Sequence, residues 1–221
     1  MRTSPFAALS SLFATTDEQA MWRVQTQEDA AAFAQLVRRW EQPIQRLCAR
    51  MLGDVHRGED LAQETFARIF ARRKNYEPGG KFSSYLWRIA LNLCYDELRR
   101  LRRRVTISFE DETDDNASGI HEHADTQLGP DGQAVAGEQA ALVRDALLKL
   151  PENYRAVLVL RHYEDLKFRE IADVLEIPEG TVKSRMAEAL TQLSRLLAPV
   201  FAEEAKSNSR RATPGKERLL I

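Results

Sequence analysis

Apolar residues recur at intervals of three and four along most of the chain, and no stretch alternates long enough to make a strand. Phe33, Leu36, Val37, Trp40, Ile44 and Leu47 share one face of a predicted helix, and Thr26-Gln27-Glu28-Asp29 before it resembles a capping box. Pro43 should kink or split that helix, and Gly53-Asp54 should end it. Ala62, Phe66, Ile69 and Phe70 make the stripe of a second helix. The loop Asn75-Tyr76-Glu77-Pro78-Gly79-Gly80 leads to a long third helix over about Phe82 to Arg104, with Phe82, Leu86, Ile89, Ala90, Leu93 and Leu98 on one face. The first 25 residues show no clear period and read as a loose extension.

The period disappears from Val105 to Gln139, a glycine-containing stretch too polar to offset the entropy of ordering, which reads as a flexible linker. It resumes at Ala140–Leu150. Pro151 punctuates it, and helices are predicted at Glu152–Tyr163, Phe168–Leu175 and Glu179–Leu197. The polar tail from Ala198, with Pro199 and Pro214, should fray. The fold class is therefore all-α, two small helical domains joined by a flexible acidic linker. The boundaries fall at 1–25 (extension), 26–104 (first module), 105–139 (linker), 140–198 (second module) and 199–221 (tail). Each module has a small core of marginal stability.

Charge sharpens this division. The net charge of −1 hides 16 Lys/Arg against 8 Asp/Glu between Phe33 and Arg104, then 9 acidic residues and no basic one between Val105 and Gln139. Ala140 to Leu197 is balanced at 9 against 9. No apolar run approaches the roughly 20 residues of a membrane helix, and serines interrupt the Ala7–Ala14 stretch too often for a signal peptide. Cys48 and Cys94 fall within helical apolar patterns and read as buried free thiols. A cytoplasmic protein without membrane insertion is expected.

The most informative stretch is Phe168–Arg185. Ile171, Ala172 and Leu175 give a first helix its buried face, and Glu176-Ile177-Pro178 makes a tight turn. Val182, Met186, Leu190 and Leu193 anchor a second helix. Thr181, Lys183, Ser184 and Arg185 are left at its N-terminal half, the part of a recognition helix that meets base edges and phosphates. A plain helical hairpin is the alternative; the small residue, the turn and the basic N-terminal half together favour a DNA-binding helix-turn-helix. Leu150-Pro-Glu-Asn-Tyr-Arg-Ala-Val-Leu-Val-Leu-Arg161, Glu164-Asp-Leu, Glu170-Ile-Ala172 and Gly180-Thr-Val-Lys-Ser-Arg185 resemble region 4 of extracytoplasmic-function sigma factors, of the sigma-70 family. The resemblance implies binding of the −35 promoter element through Thr181, Lys183, Ser184 and Arg185. Ala187 and Glu188 stand where relatives carry a larger side chain and an arginine, and Glu188 would repel phosphate or accept from a cytosine amino group.

The basic module carries two further features. Asp60, Gln63 and Glu64 form an acidic group in a basic segment; taken alone they read as a solvated face with pairs such as Glu64–Arg68. However, Glu59-Asp-Leu-Ala-Gln-Glu-Thr-Phe66 resembles sigma region 2.2, which implies docking on core RNA polymerase through those three residues. The third helix bears Arg88, Asn92, Asp96, Arg99 and Arg103 along one stripe and ends in five arginines among six residues, beyond what the helix dipole calls for. Tyr76, Phe82, Tyr85 and Trp87 lie at or near the loop before it, where aromatics either pack in the core or stack on unpaired bases. Phe82-Ser-Ser-Tyr-Leu-Trp-Arg-Ile-Ala-Leu-Asn92 resembles regions 2.3 and 2.4, which implies opening and reading of the −10 element. The resemblance places Tyr85, Trp87, Arg88, Asn92, Asp96, Arg99 and Arg103, with the Asn75–Lys81 loop, near that DNA.

The expected function is that of a non-catalytic sigma factor whose partners are core RNA polymerase and promoter DNA, with an anti-sigma factor implied by the family. The acidic linker is expected to thread a positive channel of the polymerase. No cofactor, metal or small-molecule substrate is expected. His121, Glu122 and His123 could suggest a metal hydrolase, but they sit in the linker without a third ligand or rigid support. A DNA-binding regulator independent of polymerase is the other rival, and it leaves the acidic face of Asp60, Gln63 and Glu64 without a role.

Overall fold

A computed structural model describes residues 16–77, 80–110 and 130–211, with side chains described within 16–77, 80–104 and 139–199. Among the described residues all regular structure is helical. The chain opens on α1 (Asp17–Gln27), where the hydrophobic pattern gives no period. Thr16 and Gln19 form a capping box at its start, and Ala20, Met21 and Val24 are buried. Thr26-Gln27-Glu28-Asp29 is consequently not a capping box. It contains the end of α1, with Glu28 left-handed at φ 52°, and the N-cap Asp29, which accepts from the Ala32 amide at 3.0 Å.

The first module continues with α2 (Ala30–Leu52), unbroken through Pro43, and α3 (Val55–Ala71). A short 3-10 turn at Arg73–Asn75 leads towards α4 (Phe82–Glu110). Gly53 ends α2 at φ +77°, a conformation that an L side chain rarely adopts. At Gly58 a Cβ would lie 2.8 Å from the Ala49 amide nitrogen, so α3 crosses α2 at backbone contact. Leu36, Ile44, Leu47, Met51, Ile69, Phe82, Leu86 and Leu91 fill the core, whereas Phe70, expected on the buried stripe, is 38% exposed. Cys48 and Cys94 are buried free thiols, and a hydrogen bond with Cys48 together with burial pushes the Cys94 thiol well up.

The second module consists of α5 (Pro130–Lys149), α6 (Glu152–His162), α7 (Phe168–Leu175) and α8 (Glu179–Arg211). Helix thus extends six residues past Arg104 on one side of the predicted linker and begins ten residues before Ala140 on the other. Residues 111–129, with His121, Glu122 and His123, lie outside the described residues, as do 1–15 and 212–221. The tail expected to fray carries α8 onward through Pro199. Ile171 and Val174 are fully buried in α7, with Ala172 and Leu175 half-buried beside them. In α8, Val182, Met186 and Ala189 make the inner face, and Leu190 is 45% exposed, because steps of four and three keep 182, 186 and 189 in line.

One continuous apolar cluster joins Leu36, Leu47, Phe82 and Leu91 of the first module to Val157, Leu160, Ile171 and Met186 of the second. The modules therefore pack on each other. The buried Arg155 of α6 crosses between them, donating to the carbonyls of Met51 in α2 and of Leu147, Leu148 and Leu150 around the end of α5.

Candidate nucleic-acid interface

The long helix α4 displays its polar stripe in two parts. Asn92, Asp96, Arg99 and Arg103 are exposed, and Asp96, Arg99, Arg102 and Arg103 line an open recess of about 420 Å³. Arg99 pairs with Asp96 at 2.7 Å, a solvent-screened contact that a DNA phosphate can replace at little cost. Arg100, in contrast, is held by both oxygens of Glu97 at 2.8 Å, and Arg57 reaches the same carboxylate at 3.1 Å. The Arg100 hydrogen bond holds Glu97 below the usual carboxylate range. The arginine cluster thus divides into Arg100 and Arg102, engaged by Glu97 and Glu152, and the outward-facing Arg99, Arg103 and Arg104.

The N-terminal part of α4 differs from the sequence reading. Trp87 is 3% exposed and packs edge to face on Trp40, so it offers no face to a base. Its position on the inner side of α4, one residue past Leu86, decides this. Tyr85 is half-buried, tilted against Tyr76 with ring centroids 5.3 Å apart, and burial raises its phenol. Tyr76 is itself buried, its hydroxyl donating to the Gly80 carbonyl at 3.2 Å. Arg88 is half-buried and reaches the second module, donating to the Asp173 carbonyl at 2.7 Å and pairing with Glu176 at 2.8 Å.

At the helix-turn-helix, Glu176 takes a left-handed φ of 54° and the Ile177 amide donates to the Ala172 carbonyl, which makes the sharp turn between α7 and α8. Lys183 is exposed and pairs with Glu179 one turn earlier at 2.7 Å. Ser184 is exposed, its hydroxyl donating to the Thr181 carbonyl at 3.0 Å, and Thr181 is half-buried. Arg185 is half-buried and lies close to Tyr95 of α4; burial pushes that phenol up to about 12, and the Arg185 charge opposes part of the rise. Glu188 accepts from the Gln192 amide at 2.8 Å, so its carboxylate is engaged within the helix.

On α3, Asp60, Gln63 and Glu64 are all exposed on one face, opposite the buried Ala62, Phe66 and Ile69. Glu64 pairs with Arg68 at 2.7 Å, the pair that helical spacing predicts.

Two sets of polar residues escaped the sequence reading. In α1, Gln25 donates to the Lys74 and Tyr76 carbonyls at 3.1 and 2.9 Å, and Glu18 accepts from the Phe82 amide at 3.2 Å. The signal for α1 was present in Thr16-x-x-Gln19 ahead of Met21 and Val24. The other is Arg155, whose carbonyl partners are Leu147, Leu148 and Leu150 just before it and Met51, 104 residues earlier, and backbone acceptors leave no sequence signal.

A family model described as sigma-70 region 2 matches residues 36–104, and one described as sigma-70, region 4 matches residues 140–193. The ECF RNA polymerase sigma factor SigW of Bacillus subtilis is 34% identical over 169 residues, covering 76% of this chain and 90% of that protein. The ECF RNA polymerase sigma factor SigE of Mycolicibacterium smegmatis is 36% identical over 200 residues, covering 88% and 69%. Among solved structures, CnrH in complex with the cytosolic domain of CnrY aligns with a TM-score of 0.60 at 22% identity, covering 83% of this chain and 97% of that one. RpoE in complex with the anti-sigma factor NepR from Bartonella quintana aligns with a TM-score of 0.58 at 23% identity, covering 75% and 96%. At these identities both structures speak for the fold alone.

Proposed function

The chain belongs to the extracytoplasmic-function branch of the sigma-70 family, whose members direct RNA polymerase to promoters, and from that premise we propose how its surfaces divide the work. The first module, 26–104, docks on core polymerase through Asp60, Gln63 and Glu64 and reads the −10 element with α4. The second module, 140–198, places the N-terminal half of α8 in the −35 major groove, where Thr181, Lys183, Ser184 and Arg185 meet bases and phosphates. Opening the −10 element unstacks a base at a cost of a few kcal/mol. Tyr85, Asn92, Asp96 and the 75–81 loop offset it by stacking and hydrogen bonds, while Arg99 and Arg103 hold the backbone. The protein performs no catalysis itself, acts in the cytoplasm, and is held inactive by an anti-sigma partner. Among the described residues no helix is long and apolar enough to cross a membrane.

The observation that carries this division is the exposed acidic face of α3 within an otherwise basic module. Size-exclusion chromatography with core polymerase tests it. Wild type should co-elute and Asp60→Arg should not; because Asp60 is exposed, the variant keeps its fold. If wild type fails to join polymerase from its own host, a self-sufficient DNA-binding regulator becomes the better account.

A further inference from the structure

The junction of α5 and α6 faces α4 across an open recess of about 820 Å³, a size usual for small-molecule sites. Leu98 of α4, with Leu148, Leu150 and Pro151 of the junction, gives it an apolar side. Its polar side is cationic, with Arg102, Lys149 and Arg155 against one carboxylate, Glu152. Arg102 and Glu152 pair with each other across the modules. Two positive charges, on Lys149 and Arg155, are left unmatched within the recess.

Arg155 is the more telling of the two. It is 6% exposed, and a buried charge is normally matched by an opposite one. Every hydrogen bond it makes among the described residues ends on a carbonyl. The carbonyl end of α5 carries roughly half an elementary charge and offsets only part of the cation. Burial, and then the charge of Arg102, hold the Arg155 guanidinium below its usual range, so the two arginines repel. An anion beside them relieves both effects.

The other groups at the recess are donors. Asn153 turns its side-chain oxygen to the Tyr154 amide at 3.0 Å, which leaves its NH2 group for a ligand. Pro151 caps α6 without a side-chain acceptor, so the first turn of that helix adds the positive end of its dipole. A guanidinium has five N–H donors, and Arg102 can hold Glu152 and a phosphate oxygen together.

We propose that this recess is a nucleotide-binding site. The phosphate sits among Arg102, Lys149 and the Asn153 amide, in the field of Arg155, and the base lies on Leu98, Leu148 and Leu150. A phosphate monoester carries about −1.5 to −2 at neutral pH, close to the two unmatched cations. Arg102 also lines the smaller recess with Asp96, Arg99 and Arg103. A bound nucleotide therefore ties the far end of α4 to the second module, next to the surface assigned to promoter DNA. The site itself does not depend on that assignment.

Calorimetric titration of the full chain with AMP, GMP, CMP and UMP tests the proposal, with inorganic phosphate and the four nucleosides as controls. At least one nucleotide should bind one to one, about tenfold or more tighter than phosphate or its own nucleoside. Lys149→Glu, at an exposed position, should weaken that binding by about tenfold or more, and Lys149→Arg should retain it. Asn153→Asp keeps an acceptor for Tyr154 but replaces the NH2 donor by a second oxygen, and should weaken it likewise. Arg99→Ala, in the smaller recess, should leave it unchanged. No saturable binding by any of the four nucleotides would overturn the proposal, as would binding that survives both Lys149→Glu and Asn153→Asp. Loss of binding in Arg99→Ala would move the phosphate to the DNA-facing recess, and equal affinity for inorganic phosphate would mean an adventitious ion only. Either of those results overturns it too.

Discussion

Trp40 and Trp87 meet edge to face, with ring centroids 5.6 Å apart and planes at 87°. The contact joins α2 to α4 across the core of the first module. The Trp40 ring nitrogen donates to Asp17 of α1 at 3.0 Å, whereas the Trp87 ring nitrogen is buried without a hydrogen-bond partner. Trp87 is therefore held by its ring surface alone.

Trp87→Ala should cost about 3–5 kcal/mol of stability, the usual penalty for emptying a large aromatic site. Trp87→Phe should cost much less, since no hydrogen bond is lost. Tyr85→Ala, at a half-buried site, should cost less stability than Trp87→Ala but slow promoter opening more. Denaturation and opening rates measured on the same variants check the split; a Trp87→Ala protein of full stability would contradict the packing.

Removing Arg155 strands buried carbonyls of Met51, Leu147, Leu148 and Leu150. Unsatisfied acceptors cost about 1–3 kcal/mol each, partly relieved by water. Arg155→Met should therefore destabilise the chain by about 3 kcal/mol or more in chemical denaturation, and Arg155→Lys should recover less than half, because an ammonium cannot reproduce the planar fork.

Gly58→Ala places a methyl against the Ala49 backbone, which cannot move aside as a side chain would. Overpacking of this kind costs about 1–3 kcal/mol. A thermal melt should show the loss, even though alanine favours the helix more than glycine does.

Lys183→Ala and Arg185→Ala should each weaken −35 binding by the holoenzyme by about 1–3 kcal/mol, as for a single base contact. Equal losses on native and scrambled −35 sequences would assign both residues to phosphates only.

The Lys81–Glu170 pair sets a pH window. Hydrogen bonds from Lys81 and from the Lys167 amide hold Glu170 below its usual 4.5, so its contribution is present above that value and lost as pH falls through the lowered one. Lys81 is raised above its usual 10.5 by Glu170, so its contribution is present below 10.5 and lost only as pH rises through the raised value. The difference in urea midpoint between wild type and Glu170→Gln should stay constant from about pH 5 to 9 and shrink in stronger acid.

The sequence by itself determined the helices whose signals are local. The start of α8 and the limits of α7 follow from apolar spacing and turn residues that neighbours along the chain supply. Lys183, Ser184, Asp60, Gln63 and Glu64 were legible as exposed because each lies opposite a buried stripe on its own helix. The tertiary structure alone decided which face of a helix meets another helix when both faces carry aromatic or basic residues. Trp87 went to the core and Arg88 to the second module, whereas Asn92 and Asp96 farther along α4 face solvent. Gln25, Glu18 and Arg155 act on carbonyls and amides between 5 and 104 residues away, and backbone groups carry no sequence signature of who will satisfy them. Periodicity reports what a segment buries, and only the packed chain reports against what.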